Sequence, residues 1–474
     1  MANFVNTSDG SIDLNSLDEL DFYTVLTLAR EDDELKNNSE LFLEIDDEKK
    51  DSQGKMIEDQ KKRQKIREHI RLFVEKENFK VKGINTKAEL VKRLFDEFVD
   101  FSILTDYIRD ENNEIEEINV NAWNDVEVRY SSGEVKKVEH FCNEEHAIHV
   151  IRRLSTAINS KIDESVPMGE GSLTNNIRVV TLSKPIVDND VSAACSIRLL
   201  KQQKANRDFF IQNNTITEEE LKFLETAIKS GVSIIFVGET GCGKTTLMNY
   251  LLSTIPNNKR IVTIEHNARE LSLVKKDENN NIINNVVHLK TMEHSNAKFK
   301  VTQEDLLIKA LRLDPHVICV GEMRDSEAYA AQEASLTGHT VVTSLHADGV
   351  QATHFRVAML ALKRYEVDIN IALLQAQMAF PIIVYLSKLE DNSRRVMEIS
   401  ECSIIRDGVD VVSDYTTLFK YSITENSIDK NGNAKIVGEH ISNAKISNDL
   451  AERMLRNGAS RADLEQFGYK FDLK

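Results

Sequence analysis

What the chain lacks narrows it first. No stretch of its 474 residues is apolar enough to cross a membrane. The longest apolar run, Ile371 to Leu386, is interrupted by Gln375, Gln377 and Pro381 and falls short of the roughly 20 residues that a spanning helix needs. The N-terminus is polar and acidic and does not read as a secretory signal. Membrane contact is therefore expected to be peripheral or through partners. No two of the five cysteines (Cys142, Cys195, Cys242, Cys319, Cys402) form a CxxC pair. That leaves no case for a zinc site and fits a reducing, cytoplasmic compartment with no disulfide framework. A surplus of positive charge is missing too: the formal net charge is −17, and the first fifty residues hold 14 Asp and Glu against 4 Lys and Arg. That block reads as an acidic, solvated arm. Nucleic-acid binding rests on Lys and Arg neutralising phosphates, so this balance argues against a stable nucleic-acid partner. There is no internal repeat, and the single Trp123 reads as packing.

What is present points to two or three domains. Residues 1–80 read as an acidic, partly helical extension with a helix at 66–77. Residues 81–205 read as an α+β domain. Its helix spans 87–110, where Leu90, Val91, Leu94, Phe95, Phe98 and Val99 recur at helical spacing. Short strands follow at 117–121, 126–130 and 135–141, with Ser132-Gly133 as a hairpin turn. A helix at 145–159 and strands at 178–182 and 193–199 complete it. After a linker at about 200–215, residues 206–425 alternate helix and strand. The strands, at 233–237, 261–264, 317–320, 341–345 and 382–386, are very apolar, as in a parallel sheet covered on both faces. Residues 426–474 read as a polar C-terminal extension with one helix at 447–456. The fold class is α/β, with this alternating domain preceded by an α+β N-terminal domain.

The chemistry concentrates in four places. Gly238, Glu239, Thr240, Gly241, Cys242, Gly243, Lys244 and Thr245 fit G-x-x-x-x-G-K-[ST] without a gap, between an apolar strand and a helix that Thr246 continues. The glycines let backbone N–H groups curl around phosphates, and the helix N-terminus adds positive potential. Lys244 supplies a cation to the β- and γ-phosphates and Thr245 a hydroxyl to Mg²⁺. ATP and Mg²⁺ are thus the expected ligands. Second, the apolar strand 317–320 leads to Glu322, a carboxylate placed to orient or deprotonate an attacking water. Third, the strand 261–264 leads to Glu265, at a strand end where ligands of open α/β sheets bind, with Glu270 five residues on. Fourth, His346 closes another strand of that sheet, where a histidine can report a phosphate.

Taken together, these elements resemble the type II/type IV secretion ATPase superfamily, over residues 101–420. The resemblance implies a RecA-like P-loop domain after the α+β N-terminal domain, and that these elements are, in chain order, a Walker A motif, an Asp box with a catalytic Glu, a Walker B motif and a His box. The run Leu311-Arg-Leu-Asp-Pro315 through Val-Gly-Glu322-Met-Arg324-Asp325-Ser-Glu327 is close to the pilus-motor and type II pattern. Flanks such as Ile162-Asp163-Glu164-Ser-Val-Pro167-Met168 and Arg394-Arg395-Val-Met-Glu-Ile-Ser400-Glu401 resemble the CpaF/TadA branch of Flp pili, whose architecture conjugation ATPases share. From the resemblance come a homo-hexamer, Arg178 and Arg198 as nucleotide contacts, inner-membrane platform or secretion-channel partners, and ATP hydrolysis that powers pilus assembly, secretion or conjugative transfer. The sequence departs from the family where His266 replaces an Asp and where Met292 stands in place of an Arg. The tetracysteine zinc module of many type II relatives is missing. A nucleic-acid-translocating ATPase and a non-hydrolysing ATP-dependent scaffold remain as alternatives.

Overall fold

The computed structural model describes residues 19–32, 35 and 60–471, apart from 111, 113, 175, 189, 201–204, 267–268, 293–296, 408–409 and 429–433. Most of the acidic arm, residues 1–18 and 36–59, and the linker residues 201–204 lie outside the described residues. The chain divides into two compact units, Met1–Lys201 and Gln202–Lys474.

The first unit holds two cores. In one, helices Phe22–Glu31, Gln60–Glu77 and Lys87–Phe98 bury Val25 and Leu26, Ile66, Ile70 and Phe73, and Leu90, Leu94 and Phe95 against each other. A boundary at 80/81, expected from charge, would cut this shared core. Leu20 also bridges Val81 across it. The helix expected over 87–110 is broken. It stops at Phe98, turns through Ser102 at φ +54° and resumes over Thr105–Arg109. At the break the Asp100 carboxylate accepts from Arg63 at 2.6 Å and from Arg109 at 2.8 Å. Apolar spacing alone could not show that a buried ion pair interrupts the helix.

The other core lies under an antiparallel sheet of β1 (Ile115–Ala122), β2 (Asp125–Tyr130), β3 (Val135–Lys137), β4 (Met168–Thr174), β5 (Ile177–Ser183) and β6 (Ala193–Leu199), in the order β3-β2-β1-β6-β5-β4. Strand alternation sends Ile118, Val120, Val179 and Ile197 to one face. There they meet Ala147, Val150, Ile151 and Leu154 of helix Glu144–Ala157.

The second unit is a nine-stranded sheet. Its strands are β7 (Ile234–Val237), β8 (Ile261–Glu265), β9 (Val286–Lys290), β10 (Val317–Val320), β11 (Thr340–Leu345), β12 (Ile382–Lys388), β13 (Arg394–Asp407), β14 (Asp410–Ile428) and β15 (Ala434–Ser442). The order is β15-β14-β13-β12-β7-β11-β10-β8-β9. The six strands from β12 to β9 run parallel, and β13 to β15 add antiparallel. Ile234 and Phe236 enter one core while Ile235 and Val237 enter the other. This is why the central parallel strands are predominantly apolar. The chain lays β8, β10 and β11 to one side of β7 and then β12 to the other. The C-terminal end of β7 is thus a topological switch point, where open α/β sheets bind ligands.

The expected boundary at 425 falls inside β14. Beyond it, helices Asn448–Arg456 and Arg461–Gln466 send Leu450, Met454, Leu464 and Phe467 into the same core as Phe223 and Phe419. The segment looks polar because each helix is short and gives the core only one face.

Candidate functional site

The loop after β7 owes its shape to its glycines. Gly238, Gly241 and Gly243 have φ of +142°, +80° and +101°, a region that L side chains rarely enter. A Cβ on Gly238 would lie 2.1 Å from the Leu386 carbonyl oxygen of β12, so only glycine fits there. The helix Lys244–Ser253 starts directly after Gly243, and no side chain caps it. Its first N–H groups therefore point to the loop, the arrangement that takes phosphate. Lys244 is 7% exposed, and its Nζ donates at 2.8 Å to the carbonyls of Gly238 and Glu239. Burial lowers its pKa, as expected of a cation held for an anion. The loop fits a triphosphate on these grounds, and Thr245, second in the helix, is the residue that would offer Mg²⁺ a hydroxyl. Bound there, Mg²⁺ would offset charge on the phosphates.

Two contacts made by the loop were not foreseen from the sequence. Glu239 Oε1 accepts from the Lys388 N–H at 2.7 Å and from the Ser387 hydroxyl at 3.1 Å. Arg394 Nε donates to the Gly241 carbonyl at 2.8 Å. Both bind the loop to β12 and the start of β13. Glu239 occupies a motif position that accepts any residue, and Arg394 lies about 150 residues downstream, which is why neither contact could be read from the motif.

Glu322 lies just past β10. The strand end is fixed on both sides: the Gly321 N–H donates to the Ile264 carbonyl at 2.9 Å, and the Met323 N–H to the Ser344 carbonyl at 2.9 Å. The Ser344 hydroxyl donates to the Gly321 carbonyl at 2.7 Å. These bonds bring Glu322 Oε1 within 3.2 Å of His346 Nε2, while Oε2 takes Arg324 Nη2 at 2.5 Å. Burial pushes the Glu322 carboxyl up. The Arg324 hydrogen bond, with the charges of Arg324, His346 and Lys244, outweighs it and holds the group below the ordinary carboxylate range. Glu322 is therefore anionic at neutral pH, as a proton acceptor must be.

Glu265 has a different environment. It is 4% exposed, and its Oε1 accepts from the N–H groups of Glu270 and Leu271 at 2.6 and 2.9 Å. That carboxylate shapes the loop after β8. Burial raises it to about 7, against the pull of those two N–H groups and of Arg269. Its Cγ lies 3.3 Å from where a Cβ on Gly321 would sit, so it leans on the strand end that leads to Glu322. His266 Nδ1 meets the Thr291 hydroxyl at 3.2 Å, and Met292 bridges Val301. Arg178 and Arg198 belong to the first unit, where they are direct cross-strand partners on β5 and β6. The structure thus gathers Lys244, Glu322 and His346 into one electrostatic group, with Glu265 beside its strand end.

With this geometry in view, comparison with known proteins decides the family. The model of the family "Type II/IV secretion system protein" matches residues 107–460. The chain belongs to that family. Among curated relatives, the type IV secretion system protein PtlH of Bordetella pertussis is 37% identical over 142 residues, 30% of this chain and 38% of that protein. The conjugal transfer protein TrbB of Rhizobium radiobacter is 30% identical over 221 residues, 46% of this chain and 61% of that one. The uncharacterized protein MJ0781 of Methanocaldococcus jannaschii is 29% identical over 234 residues, 48% of this chain and 31% of that one. The chain thus spans less than two thirds of the length of each of these relatives. Among solved structures, the ATPase DotB of Legionella pneumophila is similar at 21% identity and a TM-score of 0.43, over 61% of this chain and 78% of that one, a likeness too loose to add weight. Among the described residues, no helix is long and apolar enough to cross a membrane.

Proposed function

We propose that this type II/IV secretion family member is an ATP-hydrolysing motor that works as a homo-hexamer at the cytoplasmic face of a membrane and powers pilus assembly, protein secretion or conjugative transfer. One observation carries the hydrolytic part: an anionic Glu322 shares the P-loop region with the buried cation Lys244, and the two lie close enough for each charge to move the other's pKa. In this reading the N–H groups of residues 238–246 and Lys244 hold the phosphates, and Thr245 takes Mg²⁺. Glu322 orients the attacking water and accepts its proton, and His346 Nε2 steadies the same carboxylate. Glu265 acts more weakly, through the loop it shapes. Arg178 and Arg198 contact the nucleotide, and platform or channel proteins at the membrane receive the motion. The sequence flanks favour the CpaF/TadA branch. Rigid-body motion driven by nucleotide state is a recognised route from such a site to mechanical work.

The test is steady-state phosphate release with Mg·ATP for the full chain and for Lys244→Ala, beside equilibrium binding of a labelled ATP analogue. Turnover that disappears together with binding in the variant supports the reading. No turnover in the wild type, with binding intact, would point to a non-hydrolysing scaffold instead.

A further inference from the structure

The loop leaving β10 is held at more points than a strand end needs. The Arg324 and Asp325 N–H groups both donate to Glu327 Oε1, at 2.6 and 2.9 Å. Lys363 Nζ donates to the Arg324 carbonyl at 3.2 Å and pairs with Asp325 at 3.1 Å. One residue on, the Ser326 hydroxyl donates to Glu304 Oε2 at 2.8 Å. Glu304 is 3% exposed and also accepts from Arg364 and from the Tyr365 hydroxyl, both at 2.6 Å. Tyr365 stacks on Tyr329, with ring centroids 4.1 Å apart. The backbone of Arg324 is thus gripped at its N–H and at its carbonyl, while its half-exposed side chain turns back onto Glu322.

We propose that Arg324 is a positioning residue for hydrolysis: from a backbone pinned at both ends, its guanidinium engages Glu322 Oε2 and leaves Oε1, on the His346 side, as the oxygen that meets the water. This role rests on the reading of Glu322 as the proton acceptor. A carboxylate on a flexible side chain must be held in one rotamer to act on water bound at one place. A guanidinium does this while also keeping the group ionised. Charged groups face Glu322 from several elements among the described residues. Arg324 comes from its own loop, His346 from the end of β11 and Lys244 from the P-loop helix, while Glu265 stands at the end of β8. Of the three cations, Lys244 and His346 have other work at a phosphate site. Arg324 is the one whose guanidinium donates to Glu322 Oε2.

The experiment compares wild type, Arg324→Ala, Arg324→Lys and Glu322→Gln as full chains. Single-turnover ATP hydrolysis is measured from about pH 5.5 to about pH 9, beside affinity for a labelled ATP analogue. Without Arg324 the Glu322 carboxyl loses the interaction that lowers it, so the acid limb of the rate profile must move to higher pH. Arg324→Ala is expected to lose about ten- to a hundredfold in rate at the acid end, with the deficit narrowing as pH rises. Its ATP-analogue affinity should stay within about twofold of wild type, and Arg324→Lys should recover part of the rate. A uniform loss with the acid limb unmoved overturns the proposal, because a merely structural role predicts that. A tenfold loss of affinity also overturns it, since Arg324 would then be a phosphate ligand. Wild-type turnover in Glu322→Gln would instead remove the base reading beneath it.

Discussion

Glutamine at position 265 should stabilise the second unit above neutral pH and change little in acid. The Glu265 carboxyl moves from an ordinary 4.5 to about 7 on folding. Its neighbour His288, 3.9 Å from Oε2, offers no cation in return, because burial pushes that imidazole down to about 4. The folded state thus holds the Glu265 proton more tightly than the unfolded chain does. Stability falls as pH rises from about 4.5 through about 7 and stays reduced above that. At about 1.4 kcal/mol per unit, the shift corresponds to a penalty of up to about 3 kcal/mol. In Glu265→Gln the amide oxygen can still accept from the Glu270 and Leu271 N–H groups, and no charge is buried. Thermal melting of both proteins in parallel from about pH 5 to about pH 8.5 should show a gap of several degrees opening only towards alkaline pH. Melting curves that stay parallel across that range would refute the reasoning: Glu265 would then be no more strained as an anion than an exposed glutamate.

Two further outcomes follow from the packing and from the family. Phe467 is fully buried and sits edge-on to Phe223 with centroids 5.2 Å apart, so Phe467→Ala should cost the second unit about 3–5 kcal/mol, read by chemical denaturation; a loss under about 1 kcal/mol would mean that the C-terminal helices are dispensable. Mg·ATP should promote a closed ring, hexameric on the family reading, seen by light scattering; a strict monomer at every concentration and nucleotide state would contradict the ring.

The parts of the fold legible in the sequence are those whose demands are local. The glycines of the P-loop, the cation after them and the apolar strand before them each answer to one backbone or charge requirement, so 238–245 could be read directly. Five of the six parallel strands could be read because burial on both faces leaves few polar positions, and Val317–Val320 matches its expected bounds; β9 is half exposed and carries His288 and Lys290. The added ladder of β13 to β15 was not legible. Its strands are half exposed and carry Glu, Lys and Asn, and their pairing partners are visible only in three dimensions. β4 was missed because Gly169 and Gly171 read as loop. Both are close against the helix before the strand: a Cβ on Gly171 would lie 2.9 Å from the Ile158 carbonyl. At the site, Glu322 and His346 were legible as strand ends. The Arg324 bond to Glu322 and the Glu265 bonds to its own loop were not, because both depend on how a few residues turn after a strand stops.

Glu322→Gln tests the central claim most directly. The substitution keeps the size and hydrogen-bonding capacity of the side chain and removes the base. Single-turnover hydrolysis should fall by roughly 10²–10⁴-fold, while ATP binding is kept or tightened because a negative charge near the phosphates is gone. Hydrolysis at a near wild-type rate would contradict the account and make Glu265 the leading candidate for the base.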